Sequence, residues 1–175
     1  MPEDVFDEPS QWRHEAILAL GLEGEERIAG AVTGVAYPDA LAPILAARPE
    51  GLTTIGDLGA GLGGAAEWFR SRSGAAVLAV EPEAPATLAA RQLFPQVRIA
   101  RATAGALPWA DGACGVVTLL GVISLLRDPG PALREASGSP ARRRSSGSPI
   151  SSPPATGRWC TGPTCSRPWP TWRRR

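Results

Sequence analysis

The chain has no lysine; all eighteen of its basic residues are arginine. It has one histidine, so a Ser/His/Asp triad or a multi-histidine metal site would depend on His14 alone, which falls in a predicted surface helix and reads as a solvated residue. The three cysteines, Cys114, Cys160 and Cys165, match no metal-binding spacing and read as free thiols. No apolar run is long enough to cross a bilayer, the longest being Gly115 to Leu126. The opening MPEDVFDEPS is acidic and lacks the basic-then-apolar order of a secretory signal. These absences predict a soluble, cytoplasmic chain with no metal and no membrane partner.

Acidic residues are also missing after Glu135. Residues 1–135 carry all seventeen acids and ten arginines, a net charge of −7, whereas residues 136–175 carry eight arginines and no acid, a net charge of +8. That asymmetry marks a boundary.

Before the boundary, the hydrophobic pattern predicts an ordered series of elements. Ser10 can cap a helix over about 11–20, with Trp12, Ala16, Ile17 and Leu20 near one face. A second helix is expected over about 25–35, and Asp39 can cap a third reaching Arg48. Residues 1–50 thus read as a helical cover that includes Tyr37. Strands are expected at 53–58, 75–81, 97–100 and from 115, alternating with helices over about 64–72, 84–93 and from Pro131. Such alternation predicts an α/β fold, a Rossmann-like doubly wound parallel sheet covered on both faces, with ligands beyond the carboxyl ends of its strands. Trp12, Trp68 and Trp109 are assigned to packing.

The chemistry lies in DLGAGLGG, Asp57 to Gly64. Four glycines in six residues permit a tight turn and close approach of a ligand, and the helix that follows offers backbone N–H groups. Glu81 closes the next strand, where a carboxylate can accept both hydroxyls of a ribose. Gly59-x-Gly61-x-x-Gly64 also satisfies the dinucleotide fingerprint, which keeps a nicotinamide oxidoreductase open as a second reading. Asp57 separates the two. A carboxylate beside the turn repels a pyrophosphate and suits a cofactor carrying an amine and a sulfonium.

In these residues the sequence resembles class I S-adenosylmethionine-dependent methyltransferases, whose first motif has the form of DLGAGLG. The likeness runs in order through VLAVEPE, RATAGALPWADGACGVVTLL and GVISLLRDPGPALREA, about Leu52 to Ala136. It implies an S-adenosyl-L-methionine-binding core over 51–136 and transfer of a methyl group to a small-molecule nucleophile. The implied cofactor contacts are backbone atoms of Gly59 and Gly61, with Asp57 nearby, around the amino acid portion, Glu81 on the ribose, Pro82 beside the adenine, and Thr103 and Ala104 near the adenine amine; Leu58, Ala60, Gly63 and Leu120 complete the implied set. No catalytic residue is named. Thr103 replaces a frequent acid, Gly115 a frequent strand-opening aspartate, and Ser124-Leu125 a frequent histidine pair; these departures bear on substrate chemistry.

From Ser137 to Arg175 the pattern changes. Eight serines, seven prolines and no apolar periodicity predict a disordered basic tail. Arg142-Arg143-Arg144 has no interleaved aromatics, so nucleic acid is not expected as a partner. A lysine-free chain points to GC-rich coding, and tryptophan, cysteine, proline and arginine crowd together when such a gene is read out of frame. Shifted by two nucleotides, Pro149 to Trp172 can be read as DLLPARDRPVVHRTDVLATLADLA, which contains a capped amphipathic helix. The tail is therefore expected to be a frameshifted reading that truncates the sheet and could leave a cofactor-binding fragment without activity. DNA sequence in which neither alternative frame continues a strand and helix pattern would refute this.

Overall fold

A computed structural model describes residues 7–33 and 37–138. All of them lie within one compact unit, Met1–Arg142. The expectations for the tail, including Cys160, Cys165 and the arginine run, fall outside the described residues.

Four parallel strands form one sheet in the order β3-β2-β1-β4: β1 Thr54–Leu58, β2 Ala76–Glu81, β3 Arg98–Arg101 and β4 Val116–Thr118. The chain winds outward from β1 to β3, then returns to place β4 on the other side of β1. The strand order reverses there, which is where open α/β sheets bind ligands. Helices α1 Asp7–Ala19, α2 Gly24–Ala31 and α3 Leu41–Ala46 precede the sheet. Helices α4 Gly64–Ser73, α5 Ala84–Leu93 and α6 Gly130–Ala136 alternate with its strands.

The sheet is covered on both faces, and side chains along each strand therefore alternate between two cores. On one face Ile55, Val77, Ala79 and Ile99 pack with Ala66, Phe69, Ala90 and Leu93 of α4 and α5, and with Ile17, Ile28 and Leu41 of the N-terminal helices. On the other, Leu58 and Val80 pack with Ala104 and Ala132, beside Leu107, Trp109 and Val117. Asp57 shares the parity of Ile55, and Glu81 that of Val77 and Ala79. Both acids thus stand at the carboxyl ends of their strands on the α4/α5 face, Asp57 one residue before the last of β1 and Glu81 the last of β2.

The N-terminal segment departs most from expectation. α1 begins at Asp7, so Ser10 lies inside the helix and does not cap it. Ile17 is the buried hydrophobe of α1, set against α2 where an added Cβ on Gly30 would stand 3.1 Å from its Cγ1. Trp12 and Leu20 are 68% and 72% exposed, so neither packs as expected. His14 is half-buried, and its Nε2 is shielded without a hydrogen-bond partner among the described residues, rather than solvated. α3 starts after Ala40 with no side-chain cap, so Asp39 does not serve that role.

Later elements follow the pattern closely. Gly74, in the left-handed region, ends α4, and Pro85 sits in the first turn of α5. The apolar run from Gly115 yields only a three-residue strand. Gly121 takes a positive φ of 72°, and a 3-10 turn follows at Ile123–Leu125.

Candidate functional site

The carboxyl ends of β1 and β2 bring two buried acids to the edge of the glycine bend. Asp57 is 2% exposed and Glu81 is 7% exposed. Glu81 faces the bend directly: its Oε2 accepts the Gly61 N–H at 2.9 Å, and its Oε1 accepts the Glu83 N–H at 3.0 Å. A carboxylate has about four lone-pair positions, so two remain for further donors. Asp57 Oδ1 accepts from the Thr118 hydroxyl at 2.8 Å, while its Oδ2 is buried with no partner among the described residues. Burial raises the Asp57 carboxyl to about 6, opposed by the Thr118 hydrogen bond and reinforced by Glu81. Burial also raises Glu81, against the two backbone hydrogen bonds that favour its charged form.

The bend itself closes tightly on the sheet. The N–H groups of Gly59 and Ala60 both donate to Val80 O, at 2.8 and 3.0 Å, and Gly63 N–H donates to Ala60 O at 2.8 Å. With Gly61 N–H on Glu81, four amides of the bend are engaged inside the protein. They cannot also cradle a phosphate in this arrangement. Gly59 has φ of 77°, and a Cβ there would stand 2.3 Å from Val122 Cγ2. The bend is therefore roofed by the segment that follows β4. Gly64 serves packing, because a Cβ would stand 2.6 Å from the backbone of Ala31 and Val32. The fourth glycine lets α4 start hard against the end of α2.

The remaining expected contacts frame these acids. Leu58 and Ala60 are buried, and Gly61 and Leu120 are half-buried. Pro82 and Thr103 are exposed, and Ala104 is buried. Arg101 Nε donates to Pro82 O at 3.0 Å and Ala102 N–H to Glu81 O at 3.2 Å, tying the ends of β2 and β3 together. Thr103 and Ala104 follow directly. Tyr37 lies elsewhere, lining an open hollow of about 510 Å³ with Glu25, Pro38, Trp68 and Arg72, beside the second half of α4. Its hydroxyl donates to Glu25, which also accepts from Arg72.

Two residues of the site were not expected. Thr118 and Val122 both lie in the run read only as apolar. A signal for Thr118 was present: a lone hydroxyl interrupts VVTLLGV, and the observed register places it opposite Asp57. Val122 gives no such signal, because its position depends on the turn at Gly121.

Fold and site together define a Rossmann-like domain with two buried acids beside a glycine bend at the point where strand order reverses. Residues 56–139 match the family model described as methyltransferase domain, and the resemblance carried by DLGAGLG holds for this segment. Among solved structures, the YcgJ protein from Bacillus subtilis is 22% identical, with a TM-score of 0.50, over 55% of this chain and 44% of that one. Geranyl diphosphate methyltransferase in complex with GPP and sinefungin is 19% identical, with a TM-score of 0.46, over 55% and 39% of the two chains. An S-adenosylmethionine-dependent methyltransferase from Thermotoga maritima is 21% identical, with a TM-score of 0.47, over 78% and 54%. The chain thus spans between 39% and 54% of the length of these proteins. No curated protein matches the sequence significantly. Among the described residues no helix is long and apolar enough to cross a membrane.

S-adenosyl-L-methionine is the cofactor the family implies, and the residues present suit it. The unpartnered Asp57 Oδ2 is an acceptor for an ammonium, and Glu81 retains acceptor capacity for hydroxyls. Among the described residues no cation acts on either acid.

Proposed function

We propose that the chain binds S-adenosylmethionine at the carboxyl ends of β1 and β2, beside the glycine bend and Glu81, and transfers its methyl group to a small-molecule nucleophile in the cytoplasm. The observation that carries this reading is the charge of the site. Asp57 and Glu81 are buried, close enough for Glu81 to raise the Asp57 carboxyl, and no cation among the described residues acts on either. A bound cation relieves that arrangement, and a pyrophosphate aggravates it. The engagement of the bend amides within the protein points the same way.

In this reading Glu81 accepts the ribose hydroxyls while its backbone bonds hold it against the bend. Asp57 Oδ2 accepts the ammonium of the amino acid portion, and Ala104 leaves room beside the base. When bound, the cofactor supplies an already activated methyl on a sulfonium, so the protein needs alignment and exclusion of water rather than a dedicated acid or base. Residues 1–50 act as a cover and 51–136 as the binding core.

Calorimetric titration of the full chain with S-adenosylmethionine and with NAD tests the proposal. Saturable binding of the first and none of the second is expected. Binding of NAD alone would assign the site to a nicotinamide enzyme, and binding of neither would remove the functional reading.

A further inference from the structure

We infer that Thr118 is a positioning residue for the cofactor site: its hydroxyl holds one oxygen of Asp57 so that the other, Oδ2, is the acceptor left for a cationic ligand. This rests on the S-adenosylmethionine reading of the site. Asp57 has no other side-chain partner among the described residues, and its backbone is fixed in the central strand between β2 and β4. Thr118 stands opposite it in register, is itself buried, and lies on the same face.

The hydroxyl has a choice of acceptor. Thr118 Oγ1 lies 2.8 Å from Asp57 Oδ1 and 3.2 Å from Gly56 O, with one proton to give. When Asp57 is ionised, the shorter, charge-assisted bond holds the carboxylate. When Asp57 is protonated, its own O–H can donate to Thr118, and the hydroxyl can turn to Gly56 O. Thr118 therefore favours the ionised carboxylate that a cationic ligand needs. Glu81 of β2 is the one charged group acting on Asp57 among the described residues, and it opposes ionisation. The Cys114 thiol, 3.1 Å from the Cβ position of Gly56, is pushed by burial to about 11 and stays neutral. Without the hydroxyl, nothing among the described residues offsets burial and Glu81 at this carboxyl.

The test compares full-length wild type with Thr118→Val, which keeps the shape, and Thr118→Ser, which keeps the hydroxyl. Two quantities are read: the Asp57 titration by carboxyl NMR in the ligand-free protein, and the affinity for S-adenosylmethionine between pH 5.5 and 8.5. In T118V the Asp57 midpoint should rise, and affinity near pH 7 should fall about tenfold or more, the scale of one hydrogen bond to a charged group. T118S should restore both. An unchanged Asp57 midpoint in T118V overturns the inference, as does unchanged affinity where the wild type binds. If the wild type binds no S-adenosylmethionine, the functional reading fails, and the titration still decides whether Thr118 holds Asp57.

Discussion

Substituting Gly59 by alanine perturbs the bend at its most constrained point. Two costs add. An L-residue at φ of 77° is in the left-handed region, at about 1–2 kcal/mol. The new methyl would also stand 2.3 Å from Val122 Cγ2, an overlap whose relief by local shifts costs about 1–3 kcal/mol. Gly59→Ala should therefore destabilise by roughly 2–5 kcal/mol. Only the second cost depends on Val122. Val122→Ala removes both methyls and leaves its Cβ 3.4 Å away, an ordinary contact. By itself that change should cost about 1 kcal/mol, since the residue is half-buried. In the double variant the overlap vanishes and the backbone strain stays, so the two changes should couple favourably by about 1–3 kcal/mol. Urea unfolding of the four proteins measures the coupling. Additivity within about 0.5 kcal/mol would mean that Val122 does not roof the bend.

Further outcomes follow from the same geometry. Gly64→Ala meets the backbone of Ala31 and Val32 at 2.6 Å rather than a side chain; it should cost a few kcal/mol, and no truncation of a neighbouring side chain should rescue it in the same unfolding assay. Because Asp57 is raised from 3.8 to about 6, the folded state binds more protons than the unfolded one in that window. Stability present below about pH 4 should be lost as pH rises past 6, by about 3 kcal/mol from this group. Asp57→Asn should remove that part of the slope, read as the difference between wild-type and variant unfolding curves across pH 4–7. Glu81→Gln leaves one carbonyl oxygen for the two N–H groups of Gly61 and Glu83; S-adenosylmethionine affinity should drop by about ten- to a hundredfold in calorimetry. Trp12→Ala, at a residue 68% exposed, should change stability by about 0.5 kcal/mol or less.

The sheet was legible in the sequence because its strands are buried on both faces. TIGDL and AVLAVE read as short apolar runs punctuated by glycine and acid, and parallel packing gives that signature. The acids of the site were legible for the same reason: a carboxylate closing a buried strand is conspicuous. The N-terminal helices were harder to place. In α1 the side chain that is buried is Ile17, against α2 and the core, while the apparent stripe of Trp12 and Leu20 is exposed. Helix starts at Ser10 and Asp39 failed because capping side chains are local signals that neighbouring residues can override. The roof over the bend could not be read from sequence, since Val122 reaches Gly59 only through the register of β4 and the turn at Gly121.

The central claim is that the glycine bend, Asp57 and Glu81 converge on one sulfonium-bearing nucleoside. A crystal structure of the full chain grown with S-adenosylmethionine tests it most directly. The account predicts Glu81 on the ribose hydroxyls and Asp57 Oδ2 on the ammonium, with Thr118 still on Oδ1. A nucleoside bound away from the bend, or a Glu81 carboxylate turned from the sugar, would contradict it.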